Sequence, residues 1–96
     1  MLFSLLGIKG HSMEPTIKNG QKVIISSIPY LFYKPKQNDI IAFRKNANIL
    51  IKRINKIEND KYFVLGDNED DSLDSRKFGL IDRKEIVGKI ILNFKF

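Results

Sequence analysis

The spacing of apolar and β-branched residues limits this chain to few folds. Short apolar runs alternate with turn-forming residues, and no 3.6-residue apolar stripe continues beyond about ten residues. Runs of this kind are typical of strands. The predicted strands are Lys22 to Ile28, Asp39 to Arg44, Ile49 to Ile57, Lys61 to Leu65 and Ile86 to about Phe94. The sequence therefore predicts an all-β fold, a small closed or half-closed barrel that protects its edges.

Three stretches outside these strands are expected to be less regular. After Gly7 we expect a short extended piece that ends at Ser12. Residues 29–35 run between two prolines and carry four large apolar side chains: Tyr30, Leu31, Phe32 and Tyr33. We interpret them as a lid over the core, with contact to a partner or a membrane as the alternative. Residues 66–76 are dense in Asp, Asn and Ser, which is typical of a polar loop.

Length and composition limit the kinds of functional site. Ninety-six residues suit one domain, residues 1–96, that can just bury its own core. The chain has no cysteine and one histidine, which excludes disulfides, thiolate metal sites and multi-histidine metal sites. We expect no metal and no cofactor. The net charge of +6 raises the question of nucleic acid, but the basic residues are scattered between elements, which favours a solvated surface.

The amino-terminal segment is apolar but short. Residues 1–6 fall far below the roughly 20 residues that span a bilayer, and they lack a basic region and a cleavage site. We therefore expect neither a membrane anchor nor a signal peptide in this sequence. A short contact with a membrane surface stays open.

Lysines beside apolar residues are the first candidates for chemistry. In the third predicted strand, Lys52 shares a face with Leu50 and Ile54, because side chains alternate across a strand. An amine taken out of water favours its neutral form and can then accept a proton from a serine hydroxyl. Lys22 and Lys89 have similar apolar neighbours, so the alternation leaves three candidates. The alternative for each is a lysine whose ammonium extends to solvent.

Ser12 is the candidate nucleophile. It precedes a turn through Glu14-Pro15-Thr16, and a serine in that position is usually an ordinary turn residue. Together with a buried lysine it would form a Ser-Lys dyad, a variant of the serine triad. His11 suggests a Ser-His-Asp triad instead. We interpret His11 as a bystander, because neighbouring side chains of an extended segment point to opposite faces.

Five motifs follow one another along most of the chain from Gly10 to Ile90. They are Ser12-Met13-Glu14-Pro15-Thr16; Pro35 through Asp39 to Phe43; Ile51-Lys52-Arg53; Gly66-Asp67-Asn68 through Ser72-Leu73-Asp74-Ser75-Arg76 to Gly79; and Val87-Gly88-Lys89. In this order they resemble the motifs of the type I signal peptidase family. Ser-Lys repressor proteases share the serine and lysine elements, but they lack the long fourth motif and normally carry a DNA-binding domain.

The resemblance implies a role for the polar residues of each motif. Ser12 would be the nucleophile, and Lys52 the general base that later returns the proton to the leaving amine. Ser72 resembles the serine that orients this lysine. Asp74 and Arg76 would form a structural ion pair. The matched residues that would have a structural role beside the site are Asp67, Asn68, Asp74 and Arg76.

The oxyanion would be held by the main-chain N–H of Ser12 and a second donor. Some family members supply the second donor from a serine hydroxyl two residues before the nucleophile. Gly10 occupies that position here, so the resemblance leaves its backbone, or another group, as the donor.

Typical signal peptidases place a membrane helix before the nucleophile, and many insert a cap domain after the lysine. Here eleven residues precede Ser12, and thirteen lie between Lys52 and Gly66. This layout is most similar to the short branch known as nickel-type superoxide dismutase maturation proteases. The resemblance implies a serine endopeptidase, a monomer in the cytoplasm, that removes an N-terminal leader from a precursor protein. One alternative is the catalytic part of a membrane-anchored, membrane-associated signal peptidase. Alternatives of another class are an inactive interaction module and a basic barrel that binds nucleic acid.

Overall fold

The computed structural model describes residues 2–71 and 73–95. Seven strands form most of the regular secondary structure of these residues, and two single-turn α-helices lie between them: α1 is Pro29–Phe32 and α2 is Ser75–Phe78. Residues 69–71 and 83–85 form 3₁₀ turns. The strands are β1 (Phe3–Gly7), β2 (Lys22–Ser26), β3 (Ile40–Lys45), β4 (Asn48–Glu58), β5 (Lys61–Leu65), β6 (Ile81–Asp82) and β7 (Ile86–Phe94).

All seven strands belong to one antiparallel sheet in the order β1-β2-β7-β3-β4-β5-β6. Strands β3, β4 and β5 form a meander, and β7 lies between β2 and β3. The all-β prediction is confirmed. Within the described residues, β1 and β6 end the sheet without pairing to each other, which fits the half-closed alternative. No helix in the described part of the chain is long and apolar enough to cross a membrane.

Two hairpin turns follow directly from local sequence. Asn46 and Ala47 connect β3 to β4 with φ values of 50° and 71°, and Asn59 and Asp60 connect β4 to β5 with 50° and 64°. Two-residue hairpin loops favour positive φ at both positions, since that twist matches the strands, and Asn and Asp tolerate it better than most residues. Both turns therefore fix the register of the central meander.

Strand β1 was missed by the sequence analysis. Phe3 and Leu5 point outward and are mostly exposed, whereas Leu6 packs against the core. Apolar side chains thus occur on both faces of β1, which hides the period of two that identifies a strand. Residues 12–16 form turns, so Ser12 does not end an extended piece as expected.

The core has two clusters of buried side chains. One lies mainly between β3, β4, β5 and β6, and the other joins β2, β3 and β4 to the segment after β1. Met13 and Ile17 bring that segment into the second cluster. Burying side chains of this size contributes about 1.5–3 kcal/mol each, so they anchor the turn that carries Ser12.

Helix α1 confirms the lid interpretation for one side chain only. Tyr30 packs against the first cluster and donates a hydrogen bond to Asp39 at 2.7 Å. Burial and the neighbouring carboxylate raise the pKa of Tyr30. Leu31 and Phe32 are 71% and 82% exposed. The interpretation was therefore wrong for these two side chains, because a four-residue helix turns only one side toward the sheet.

Candidate active site

Strand β4 places the amine of Lys52 in the interior. Lys52 lies opposite Ile41 of β3, between Ile51 and Arg53, and its side chain is 4% exposed. The strand is paired with β3 along this stretch, while pairing with β5 begins only at Arg53. An amine in this position has lost most of its contact with water, which favours the neutral form.

The turn after β1 brings Ser12 to the same point. The N–H of Glu14 donates to the carbonyl of His11, and the N–H of Ile17 donates to the carbonyl of Met13. Ser12 Oγ lies 2.8 Å from Lys52 Nζ. A hydroxyl and an amine at this distance can exchange a proton, which is the requirement for activating the serine as a nucleophile.

The other candidate residues lie elsewhere. Lys89 contacts the hydroxyl of Tyr33 at 3.2 Å and Asp39 at 3.6 Å, and the hydrogen bond with Tyr33 raises the pKa of Lys89 despite partial burial. Lys22 pairs with Gly7 and Phe94 in the sheet. Among the three lysines that the alternation left open, the fold brings Lys52 to Ser12.

His11 is held by a carboxylate of its own turn. Its Nδ1 lies 2.8 Å from Oε2 of Glu14, and the hydrogen bond with His11 lowers the pKa of Glu14. The ring of His11 is half exposed. This contact binds the imidazole nitrogen to Glu14, and the interpretation of His11 as a bystander stays a prediction.

Asp67 connects the turn of Ser12 to the strand of Lys52. Its two oxygens accept hydrogen bonds from Arg53 Nε and Nη2, both at 2.9 Å, and Thr16 Oγ1 donates to it at 2.6 Å. The hydrogen bonds from Arg53 lower the pKa of Asp67, with burial opposing them. Arg53 follows Lys52 and Thr16 lies four residues after Ser12, so this contact fixes the two parts of the site relative to each other.

Asn68 binds the turn of Ser12 through its main chain and its side chain. The N–H of Asn68 donates to the carbonyl of Ser12 at 2.8 Å, and its Nδ2 donates to the carbonyl of His11 at 3.1 Å. Asp67 and Asn68 therefore both contact the turn around Ser12, and their structural role beside the site stays a prediction.

Asp74 is completely buried and organises the loop that follows β5. It accepts hydrogen bonds from Arg76 Nε and Nη2 at 3.0 and 2.8 Å, from the N–H of Arg76, which caps α2, and from the N–H of Gly66. Burial raises the pKa of Asp74, but the hydrogen bonds from Arg76 and Gly66 outweigh it and hold the pKa below its ordinary value. The expected ion pair of Asp74 and Arg76 is thus present.

We expect Asp74→Asn to lower stability by about 1–3 kcal/mol at pH 7, because an NH₂ group replaces an acceptor for buried donors. The pKa of Asp74 is lower folded than unfolded, so the carboxylate stabilises the fold above the unfolded pKa of about 3.9, and this contribution is lost as pH falls through the folded pKa. Urea unfolding at pH 7 and at about pH 3 should show the variant's deficit shrinking in acid.

Asp60→Asn is the matched control for this prediction. Asp60 is 86% exposed and lies 3.8 Å from Lys34, so its loss should leave the unfolding midpoint unchanged. A deficit of Asp74→Asn that stays equal at both pH values would contradict the role of the carboxylate charge.

Ser72 and Gly10 are the two remaining predicted site residues. Ser72, the predicted orienting serine, lies outside the described residues. The N–H of Gly10, at φ +98°, donates to Oδ1 of Asn19 at 2.8 Å. A role for this N–H as second oxyanion donor would require that bond to break, so the role of Gly10 stays a prediction.

A groove of about 240 Å³ contains Ser12 and Lys52. Residues 6–10, at the end of β1 and beyond it, line one side, and residues 49–52 of β4 line the other. Residues 48–52 pair with β3 but not with β5, and β1 pairs only with β2, so both sides present a strand edge within the described chain. The apolar residues that line the groove are Leu6, Ile8, Met13, Ile17, Ile49, Leu50 and Ile51.

Thr16, Asn19 and Arg53 were not predicted as site residues. Arg53 could have been suspected because a second cation directly follows Lys52. Its partner Asp67 is 14 residues away, and no local pattern connects the two. Among the residues that the structure describes, no group of three or more His, Cys, Asp or Glu side chains is placed to hold a metal ion.

Comparison with known proteins shows similarity to one family. The family model described as signal peptidase, peptidase S26, matches residues 1–55 and 53–95. Signal peptidase IB of Staphylococcus aureus strain N315 is 28% identical over 143 aligned positions, covering 91% of this chain and 75% of the relative. The inactive signal peptidase IA of S. aureus strain MRSA252 is 26% identical over 132 positions, covering 91% and 76%. Both alignments are longer than this chain, so the relatives carry inserted residues.

Proposed function

This chain belongs to the signal peptidase family, peptidase S26, and we propose that it is an active serine endopeptidase that uses Ser12 and Lys52 to remove an N-terminal leader from a precursor protein. The observation that carries the proposal is the 2.8 Å distance between the hydroxyl of Ser12 and the buried amine of Lys52. One of the relatives is named inactive, so membership of the family does not by itself imply activity, and the proposal rests on Ser12 and Lys52 of this chain.

The proposed reaction begins with the neutral amine of Lys52, which accepts the proton of the Ser12 hydroxyl as the oxygen attacks the scissile carbonyl carbon. The carbonyl oxygen takes the negative charge and is stabilised by the N–H of Ser12 and a second donor. Lys52 then gives its proton to the leaving amine as the peptide bond breaks. The same amine then takes a proton from water, whose oxygen attacks the ester carbonyl carbon of the acyl-enzyme. The ester bond to Ser12 breaks, and Lys52 returns the proton to the Ser12 oxygen, which restores both groups.

The groove supports a substrate that binds as an extended strand. Its two sides are strand edges, and a peptide lying between them can form main-chain hydrogen bonds as strand-addition ligands do. Seven apolar side chains line the groove and its volume of about 240 Å³ is small, which suits small apolar side chains on the amino-terminal side of the cut. The resemblance implies the same preference, often Ala-x-Ala.

Two precursor proteins distinguish between two proposed classes of substrate. We propose a soluble superoxide dismutase precursor with a short leader as one substrate class, and a secretory preprotein as the other. The experiment incubates wild type with each, the preprotein with and without anionic vesicles, and identifies new N-termini by mass spectrometry. A specific cut in either precursor supports a peptidase and names the class. The absence of a cut in both would favour the inactive module.

The vesicles also test the peripheral membrane contact. Leu31 and Phe32 are mostly exposed beside the exposed Lys34, a combination that suits an anionic membrane surface. Co-sedimentation of wild type, but not of Phe32→Ser, is the expected result. A titration with single-stranded DNA in the same buffer should show no salt-dependent binding, because the basic residues are scattered along the sequence and do not form one block.

A further inference from the structure

We propose that Asn68 is a positioning residue that aims the main-chain N–H of Ser12 at the oxyanion of the reaction. This inference rests on the proposed function, since an oxyanion forms only if Ser12 attacks a carbonyl. It assigns to the side-chain amide of Asn68 a task beyond holding the loop after β5.

Two hydrogen bonds hold the peptide unit between His11 and Ser12. Its carbonyl oxygen accepts two hydrogen bonds, one from Asn68 Nδ2 and one from the N–H of Glu14, both at 3.1 Å. A peptide unit is planar and trans, so its C=O and its N–H point in opposite directions. Fixing the carbonyl of His11 therefore fixes the direction of the Ser12 N–H.

Asn68 also holds the following peptide unit, between Ser12 and Met13. The carbonyl of Ser12 accepts a hydrogen bond at 2.8 Å from the N–H of Asn68. Asn68 thus holds the peptide units on both sides of the Ser12 Cα atom. Rotation of either unit would break one of these bonds, so the backbone of Ser12 is fixed while its Oγ lies 2.8 Å from Lys52.

The side chain of Asn68 is itself held by its own loop. Its Oδ1 accepts a hydrogen bond from the N–H of Asp70 at 3.3 Å, which orients the side-chain amide with Nδ2 toward His11. The preceding residue, Asp67, is bound by Arg53 of β4. Asn68 is therefore fixed to the strand that carries Lys52, and the N–H of Ser12 is aimed from the same frame.

Orientation matters because a donor contributes to catalysis only if it already points at the position of the oxyanion. Removing one such donor typically costs about 10²–10³ in rate. A carbonyl that accepts two hydrogen bonds also polarises its peptide unit and strengthens the opposite N–H as a donor. Loss of one of the two bonds should cost part of this effect, about 10- to 100-fold in kcat.

The test compares Asn68→Ala with Asn93→Ala. Asn93 makes a bond of the same kind, from Nδ2 to the carbonyl of Thr16 at 3.4 Å, in the same turn but away from the Ser12 peptide unit. With an extended leader peptide, Asn68→Ala should lower kcat about 10- to 100-fold and change KM by less than about twofold. The pH at half-maximal rate should stay that of wild type, because Lys52 is not altered. Asn93→Ala should keep kcat.

Amide NMR supplies a readout that does not need turnover. The ¹H and ¹⁵N shifts of Ser12 should change in Asn68→Ala and not in Asn93→Ala. An unchanged kcat, an equal fall in both variants, or an unchanged Ser12 amide would each overturn the proposal. Asn68→Asp, which keeps the Oδ1 acceptor and loses the donor, replaces Asn68→Ala if the latter does not fold. If wild type cuts no precursor, the proposed function fails, and the Ser12 amide alone decides whether Asn68 holds the peptide unit.

Discussion

Ser12→Ala should abolish peptide cleavage and leave the fold intact. The substitution removes the nucleophilic oxygen, and losses of a serine nucleophile reduce kcat by as much as about 10⁶-fold. Met13 and Ile17 of the turn are buried, and the bond from Asn68 reaches the main-chain carbonyl of Ser12, so these contacts remain in the variant. Mass spectrometry of a leader peptide measures the rate, and thermal unfolding checks the fold.

Ser4→Ala is the control for this variant. Ser4 lies on β1, outside the groove, and is partly buried like Ser12. Its loss should leave the cleavage rate within about twofold of wild type, because surface changes of this kind are usually small. Cleavage by Ser12→Ala at the rate of wild type would show that another group attacks the peptide.

Lys52→Met should abolish cleavage as completely as Ser12→Ala. Methionine has a similar length and keeps the packing around β4, but it offers no amine to take the proton of Ser12. The thermal midpoint should stay the same or rise, because an apolar side chain replaces a polar group that is 4% exposed. Lys52→Arg should also be inactive, since a guanidinium does not give up its proton in this pH range.

Lys89→Met tests whether the choice of lysine is right. Lys89 has apolar neighbours similar to those of Lys52, but its amine contacts Tyr33 and Asp39. This variant should keep its cleavage activity while losing some stability. Loss of cleavage in Lys89→Met together with activity in Lys52→Met would reverse the assignment.

The pH dependence of cleavage by the wild type tests whether the amine of Lys52 accepts the proton. Only the neutral amine of Lys52 can accept a proton, so cleavage should rise with pH and reach a plateau once the amine is deprotonated. The pH at which the rate reaches half of its plateau reports the titration of this amine in the site. A rate that falls over this range would exclude Lys52 as the general base.

Much of the sheet was readable from local patterns. Strands β2, β3, β4, β5 and β7 were predicted within one or two residues, because β-branched alternation and the turns at residues 46–47 and 59–60 are local signals. The short strands β1 and β6 were missed. β1 has apolar side chains on both faces, and β6 has two residues, too few to show any period.

The candidate site was predicted in part from the residues and in part from the resemblance. Matched motifs pointed to Ser12, Lys52, Asp67, Asn68 and Asp74. The bonds that connect them could not be predicted, since Arg53 reaches Asp67 across 14 residues and Asn68 reaches the carbonyl of His11 across 57. Contacts at such separations depend on how strands are ordered in the sheet, which residue spacing does not encode.

Local pattern alone was enough to establish an all-β chain with alternating strands, because each strand's period depends on the chain's own backbone geometry. It left Lys22, Lys52 and Lys89 equivalent, since all three have the same kind of apolar neighbours along the strand. Folding separates them: the turn after β1 packs its Met13 and Ile17 into the core beside β4, and this brings Ser12 to Lys52 across 40 residues of sequence. The choice among the lysines is thus made by burial of that turn in the core.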